Sequence, residues 1–340
     1  MALKLGLMAG YWSTKPPQDL VGVAKRAEAL GYWGFFTAEA YGSDAFTPLA
    51  WVGAHTSSIK LGTAIVQISA RTPTSAAMHA LTLDHLSKGR LILGLGVSGP
   101  QVVEGGYGRP FSKPLARTRE YISIIRQVLA REGPVMNTGP HYPIPYPADA
   151  PGSWGLGKPL KPITHPLRSN IPIFLGAEGP KNVALAAEVC DGWYPLFYSP
   201  FREEVYRDSI AGRPEGFEIL CPVNIHVTDD LEAGRMEVKQ NIALYVGGMG
   251  SRDRNFHNKL ISRMGFGDAA KRIQDLYLDG QKTAAVAAVP DDLVDEVSLV
   301  GPKEMIRQRL AAWEDSAVTG LLVWPKTTDD IATFAELVLD

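Results

Sequence analysis

The sequence predicts a closed (β/α)8 TIM barrel, in which eight parallel strands alternate with helices around one core. Residues 60–99 form a strand, a helix and a second strand with short connections, which is the repeating unit of a parallel sheet. The same alternation recurs along the chain and gives about eight strands. Over 340 residues, with 45% hydrophobic and 21% charged side chains, no break in composition indicates a domain boundary. An open doubly wound sheet is the alternative architecture.

The segment 60–99 organises the fold. It begins with a β-branched run over 60–66, and the helix that follows has a predicted buried stripe of Ala76, Ala80, Leu83 and Leu86. The second strand alternates between two faces. One face carries the apolar side chains of Leu91, Leu93, Leu95 and Val97. The other face has almost no side chains, because it consists of Gly94, Gly96 and Ser98. Glycine weakens a strand interior. Gly94 and Gly96 therefore indicate either close packing of strands or a flat ligand at the carboxyl ends of the strands.

Two strand and helix pairs precede this segment. Residues 3–9 alternate as a strand, and Pro16 and Pro17 open a helix that Gly31 ends. The second strand, 34–38, ends at Glu39, and an apolar helix leads from there to Lys60.

Two insertions interrupt the later part of the barrel, after strand 4 and after strand 7. A glycine- and proline-bearing loop precedes a helix over 117–131, and the proline-dense segment 133–170 is an irregular insertion, either a lid or plain surface decoration. Residues 230–296 are a helical excursion. The remaining strands are predicted at 171–178, 191–197, 218–227 and 318–324. We therefore expect one barrel domain over 1–340.

Composition and motifs exclude several classes of function. The formal net charge of −2 provides no basic field for nucleic acid or an anionic membrane. No apolar run is long enough to span a membrane and no secretory signal is evident, so the cytosol is the expected location. The two cysteines, Cys190 and Cys221, lack metal or redox spacing and are expected to be buried apolar residues. No metal-binding, Walker or dinucleotide-binding motif occurs, so we predict no metal.

Candidate site residues lie where strands end, because the active site of a barrel forms at the carboxyl ends of its strands. This rim is aromatic and poor in charge, which suits a planar conjugated ligand. Glu39 is the acid–base candidate because it ends a strand in an apolar context; a helix-capping or ion-paired glutamate is the alternative. The segment 176–180, GAEGP, places backbone amides at a helix N-terminus, where an anion such as phosphate could bind.

Three segments together resemble the bacterial luciferase-like superfamily, in particular its branch that uses the deazaflavin coenzyme F420. They are the whole of 60–99, IPIFLGAEGPKNVALAAEVCDGW from Ile171, and VSLVGPKEMIRQRLAAWEDSAVTGLLV from Val297. Within that branch, the last two segments are similar to methylene-tetrahydromethanopterin reductase. The resemblance implies a luciferase-like TIM barrel that binds F420, with FMN as the alternative coenzyme, and that forms a homodimer.

The resemblance also implies roles for individual residues. A non-proline cis peptide would link Ala64 and Ile65 behind the deazaflavin ring. The residues expected to contact the coenzyme are Glu39, Ala64, Ile65, Val97, Ser98, Gly99, Gly176, Ala177, Glu178 and Gly179. Among them, the amides of Glu178 and Gly179 would hold the phosphate.

The chain departs from some relatives at positions that contact substrate. Ala40 stands where a histidine would follow the acid matched by Glu39. The sugar-phosphate dehydrogenase of the same branch has a glutamate near Trp12 and a phosphate-binding lysine near Ser199, and both are absent here. We therefore expect a larger, less polar substrate. The residues predicted to bind it are Tyr11, Trp12, Tyr41 and Trp324.

The expected activity is hydride transfer between C5 of F420 and a small organic molecule such as an alcohol, enone or imine. Glu39 would transfer a proton or anchor a polar group. One alternative is an FMN-dependent monooxygenase of the same superfamily. Another is a non-catalytic barrel that only binds a coenzyme.

Overall fold

The computed structural model describes residues 2–340 and has the closed parallel barrel that the sequence predicts. Its strands are β1 (Lys4–Gly10), β2 (Gly34–Thr37), β3 (Lys60–Thr63), β4 (Val66–Gln67), β5 (Leu91–Gly96), β6 (Ile173–Gly176), β7 (Gly192–Tyr194), β8 (Glu218–Pro222), β9 (Asn224–Val227), β10 (Ser298–Gly301) and β11 (Gly320–Val323). The main sheet has the order β3-β2-β1-β11-β8-β7-β6-β5-β4, and a further β3–β5 pairing closes it. The open-sheet alternative is therefore wrong.

Helices follow most strands. They are α1 (Leu20–Ala29), α2 (Phe46–Gly53), α3 (Pro73–Leu86), α4 (Pro100–Tyr107), α5 (Pro114–Ala130), α6 (Pro180–Val189), α7 (Glu204–Ile210), α8 (Leu231–Ala243), α9 (Phe256–Ile261), α10 (Gly267–Leu278), α11 (Lys282–Ala287), α12 (Asp291–Val297), α13 (Lys303–Glu314) and α14 (Thr328–Val338). Two π-helical turns, Leu244–Gly248 and Ser262–Phe266, lie within the excursion that the sequence predicts to be helical. Among residues 2–340, no helix is long and apolar enough to cross a membrane.

The chain divides into two compact units. The smaller unit comprises Gly10–Ala24 and Phe36–Leu175. Its strands β3 and β5 pair in parallel, with Leu61 opposite Leu91, and both of these leucines are fully buried. The expectation of one domain over 1–340 stays a prediction.

The larger unit comprises the chain up to Ala9, Lys25–Phe35 and Gly176–Asp340. In it, β11 pairs in parallel with both β1 and β8, and β7 pairs with β8. All four residues of β11 are buried, as expected for a parallel strand covered on both faces.

Two predicted strands are each divided in the structure. The run 60–66 separates into β3 and β4 because Ala64 donates its amide to Thr37 O, at 2.7 Å, and leaves the β5 ladder. The run 218–227 separates at Val223, whose amide bonds Leu322 O. Beyond that point β9 pairs with β10, a strand that sequence analysis did not identify, in a separate two-stranded sheet.

Several helix predictions differ from the structure. The first helix begins at Leu20 and not at Pro16 and Pro17, and α5 begins at Pro114 and not at Arg117. The helices α4 and α7 were not predicted, because α4 contains two adjacent glycines and α7 has only seven residues. In α3, Leu86 is 67% exposed, whereas Leu81 is buried. Leu86 lies at the edge of the predicted stripe, roughly 80° from Ala76 at ~100° per residue, on the side of the helix that faces solvent.

The insertion 133–170 contains no helix or strand, as predicted, apart from one antiparallel bridge between Asn137 and Ile144. Its start is held by Glu120 of α5. One Glu120 carboxylate oxygen accepts hydrogen bonds from the Asn137 side chain and from the amides of His141 and Tyr142, each at 3.1 Å. These bonds attach the beginning of the insertion to α5.

Close packing at Gly62 generates a stability prediction. A Cβ atom at this position would lie 2.1 Å from the ring of Phe36, which is fully buried. We expect Gly62→Ala to lower the free energy of unfolding by about 1–3 kcal/mol, because the ring must shift within a filled core. Urea denaturation measures the change. Gly133→Ala is the matched control, since a Cβ there has no atom within 4 Å, and equal effects of the two substitutions would contradict the prediction.

Candidate active site

Glu39 follows β2 in the smaller unit, and its buried carboxylate is ion-paired. Arg71 donates from Nη1 to Glu39 Oε1 at 2.6 Å, and both side chains are largely shielded from solvent. The amide of Gln67 also donates to Oε1 at 3.0 Å, and the amide of Ala45 lies 3.4 Å from Oε2. The apolar surroundings expected from the sequence are therefore not found. Glu39 is therefore an ion-paired glutamate, which was the alternative interpretation of its sequence. Its partner, Arg71, lies in the loop that precedes α3.

The Ala64–Ile65 peptide bond is cis, which confirms the bond implied by the family resemblance. Glu39 and the residues around this bond are joined through their backbones. The amide of Glu39 donates to Ile65 O at 3.1 Å, and the Gln67 side chain donates to Glu39 O at 3.1 Å. The side-chain oxygen of Gln67, Oε1, is buried and has no hydrogen-bond partner among residues 2–340.

Gly96 accommodates the side chain of Ile65. A Cβ atom at Gly96 would lie 2.7 Å from Ile65 Cδ1 and 2.9 Å from Cγ1. For Gly96, therefore, close packing within the protein explains the glycine.

Val97, Ser98 and Gly99 connect β5 to α4, and all three are half-buried. Ser98 has a left-handed backbone with φ +58°, and Gly99 is the N-cap of α4. A Cβ atom at Gly99 would have only Gln101 Oε1 within 4 Å, at 3.5 Å. This connection therefore leaves space beside a helix N-terminus, as a ligand-binding loop requires.

Three of the aromatic residues predicted to bind substrate meet in the smaller unit. The rings of Tyr11 and Tyr41 pack edge to face with centroids 5.7 Å apart, and Trp12 donates its amide to Ser43 Oγ at 3.0 Å. Gly42 allows this approach, because a Cβ atom there would lie 2.2 Å from Trp12 O.

A cavity of about 510 Å³ opens beside Trp12. It is lined by Trp12, Ser13, Thr14, Lys15, Pro16, Gly42, Ser43, Asp44, Thr47 and Pro48. Its lining is more polar than the sequence suggested, because hydroxyl groups and Lys15 come from the loops that flank the tryptophan.

In the larger unit, the residues from Gly176 to Gly179 connect β6 to α6. Ala177 O accepts a hydrogen bond from Trp193 Nε1 at 2.8 Å. Glu178 Oε1 accepts from the amide of Leu196 at 2.8 Å, and Glu178 O accepts from Arg263 Nη2 at 2.9 Å. Burial raises the pKa of the Glu178 carboxyl to about 8, although the Leu196 amide and the Arg263 charge both oppose the rise.

Gly179 is the N-cap of α6, and Pro180 is its first helical residue. A Cβ atom at Gly179 would have no neighbour within 4 Å, so there is open space beside this residue. In the same unit, Trp324 directly follows β11 and is half-buried.

Three histidines make local contacts within the fold, and both cysteines are buried as expected. His55 and His79 bond the carbonyl oxygens four residues before them, and the pKa of His226 is lowered by burial. Cys190 and Cys221 are buried free thiols. In the part of the chain that the structure describes, no group of three or more His, Cys, Asp and Glu side chains could hold a metal.

Sequence reasoning missed Gln67, Arg71 and Arg263. Gln67 is the last residue of β4 and Arg71 lies in the loop between β4 and α3, at the carboxyl end of a barrel strand where the other rim residues were sought. Arg263 lies in a π-helical turn of the helical excursion, where no local pattern indicates a contact with Glu178.

A sequence model of the family described as luciferase-like monooxygenase matches residues 5–320. The chain belongs to this family. A relative from Mycobacterium tuberculosis, provisionally named a coenzyme F420-dependent oxidoreductase, is 52% identical over 345 residues that cover 99% of each chain. The 5,10-methylenetetrahydromethanopterin reductase of Methanolobus tindarius is 27% identical over 317 residues, which cover 90% of each chain.

A solved structure has the same fold as this luciferase-like family member. The coenzyme F420-dependent tetrahydromethanopterin reductase of Methanopyrus kandleri superposes with a TM-score of 0.80 and covers 100% of this chain and 99% of its own. The two sequences are 22% identical, so this likeness establishes the fold.

The buried ion pair generates a double-variant prediction. We expect Arg71→Met to lower the free energy of unfolding by about 3–5 kcal/mol, because the Glu39 carboxylate is left buried without its cation. Adding Glu39→Gln should recover part of this loss, since no unpaired charge then remains. Urea denaturation of the wild type, both single variants and the double variant measures the coupling. Additive losses would contradict the prediction.

Proposed function

We propose that the chain is a coenzyme F420-dependent oxidoreductase that transfers a hydride between C5 of the deazaflavin ring and an organic substrate of the alcohol, enone or imine class. The observation that carries this proposal is the 52% identity, over 99% of both chains, to the relative provisionally named an F420-dependent oxidoreductase. When bound, F420 supplies the hydride or accepts it. The protein binds and orients the reactants and limits the access of water.

Several groups of the smaller unit fit a flat polar ring. The cis peptide occupies the predicted position, and Ile65 is half-buried beside Gly96. Gln67 Oε1 is a buried acceptor without a partner in the described part of the chain, and a ring N–H could satisfy it. We propose that Ala64, Ile65 and the loop over 97–99 contact the ring portion of the coenzyme.

The phosphate is assigned to the segment that precedes α6. We propose that residues 176–179 contact the coenzyme and that the amides of Glu178 and Gly179 donate to its phosphate. The helix dipole favours an anion at this terminus, and Gly179 leaves the approach open.

Substrate is assigned to the aromatic residues Tyr11, Trp12, Tyr41 and Trp324. The cavity beside Trp12 supports the first of these assignments, because its walls combine an indole ring with hydroxyl groups that can orient a polar substituent.

We further propose that the protein acts in the cytosol as a homodimer. Trp51 of α2 and Met78 of α3 are each more than half exposed, and an apolar interface between two copies would cover them. Sedimentation of the purified chain as a monomer would exclude the dimer.

A fluorescence titration tests the choice of coenzyme. We expect saturable binding of F420 at micromolar concentration or below and much weaker binding of FMN. Gly99→Leu should weaken F420 binding about tenfold or more, because the added side chain fills open space next to the loop over 97–99. Gly105→Leu is the matched control, because Gly105 is an exposed glycine of α4 with nothing near its Cβ position. A preference for FMN would instead indicate a flavin-dependent monooxygenase, and turnover of no substrate despite tight F420 binding would indicate a non-catalytic barrel.

Glu39 is proposed as the polar anchor that holds the segment over 64–67, or as the proton-transfer group. We expect Glu39→Gln to lower kcat, because the amide cannot keep Arg71 in the same ion pair and cannot exchange a proton. Steady-state kinetics with F420 and an accepted substrate give the value. An unchanged kcat in a variant of normal thermal stability would remove Glu39 from the active site.

A further inference from the structure

The carboxyl group of Glu178 is buried at the junction of two loops in the larger unit. Its Oε1 accepts a hydrogen bond from the amide of Leu196, in the connection that follows β7. Its Oε2 is also buried and has no hydrogen-bond partner among the described residues. A carboxylate in this setting would have one donor for two oxygens, which leaves most of its charge uncompensated.

Charged and titratable groups from three elements face this carboxyl. Arg263, from the π-helical turn, donates to the backbone carbonyl of Glu178 and not to the carboxylate. The other two groups are the Tyr206 hydroxyl of α7 and the Cys221 thiol of β8. Burial raises the pKa of each group, so both are uncharged at neutral pH. No cation among residues 2–340 forms an ion pair with Glu178, and the neutral acid is therefore the favoured form.

The neutral form leaves the N-terminus of α6 available. An ionised carboxylate one residue before the N-cap would itself be attracted to the positive end of the helix and would repel a second anion. A carboxylic acid does neither, and its hydroxyl group can donate a hydrogen bond. The side chain of Arg263, which is exposed, adds a positive charge at the same segment.

We propose that Glu178 is a positioning residue of the phosphate subsite: as a neutral acid it joins the loop after β6 to the loop after β7 and keeps negative charge away from the amides that receive the coenzyme's phosphate. This inference rests on the proposed function, since it assigns F420 as the anion. It explains why an acidic residue stands in an anion-binding segment.

Proton linkage gives the direction of the pH dependence. Glu178 is protonated in the folded protein below its pKa of about 8, so F420 binding should be complete below that pH and lost as the pH rises through it. The phosphate of F420 is a diester and keeps one negative charge over this range. The phosphate itself therefore does not produce the effect.

The test is the Kd for F420, measured by fluorescence between pH 6.5 and pH 9.5. We expect the wild-type Kd to rise about tenfold from pH 7 to pH 9, because only the protonated fraction binds. Glu178→Gln, a neutral isostere, should bind F420 with little change over the same range. Glu232→Gln is the matched control, because it removes an exposed carboxylate from the first turn of α8 and should keep the wild-type profile. Any titration of the coenzyme itself affects all three proteins equally.

A second readout needs no coenzyme. In the unfolded chain Glu178 titrates near the ordinary value for glutamate, so the folded state binds the extra proton between about pH 4.5 and pH 8. The stability of the wild type should therefore fall relative to that of Glu178→Gln as the pH rises through this window, which urea denaturation at pH 5.5 and pH 8.5 measures.

Three outcomes are distinguishable. A wild-type Kd that does not change with pH, or the same rise in Glu178→Gln, would overturn the inference while leaving the proposed function intact. Failure of the wild type to bind F420 at any pH would overturn the proposed function and this inference with it. A rise in the wild type and in Glu232→Gln, with a flat profile in Glu178→Gln, would support both.

Discussion

The ion pair between Glu39 and Arg71 determines the geometry of the rim in the smaller unit. Removing two charges from water is costly, and it is compensated here by a contact of 2.6 Å and by an amide donor from Gln67. The backbone of Glu39 also bonds Ile65 O, so the same residue that holds the charge holds the bend between β3 and β4. Glu39 thus contacts the segment from Ile65 to Gln67 through both its backbone amide and its carboxylate.

The two glutamates at strand ends illustrate how environment determines the role of a carboxyl group. Glu39 follows β2 and has a cation as its partner, whereas Glu178 follows β6 and has one amide donor and no ionic partner. The first is held in an ion pair, whereas burial raises the pKa of the second to about 8. A search for acid–base groups that considers residue type alone would treat them as equivalent.

Much of the barrel could be predicted from the sequence, because strands buried on both faces are continuous apolar runs and helix ends have their own signals. Gly31, for instance, ends α1 with φ +82°, as its place after an apolar helix indicated. Partners distant in the chain could not be predicted in this way. The ion pair of Glu39 requires Arg71, and the division of residues 218–227 depends on β10, which lies about 75 residues further along.

The contact between Ile65 and Gly96 links two positions that local sequence treats as independent. The Ile65 side chain lies where a side chain at position 96 would begin, so the two positions pack as one unit. A larger residue at position 96 requires the Ile65 side chain to move or to become smaller. Directed evolution of substrate range at this rim would therefore need libraries that vary both codons together.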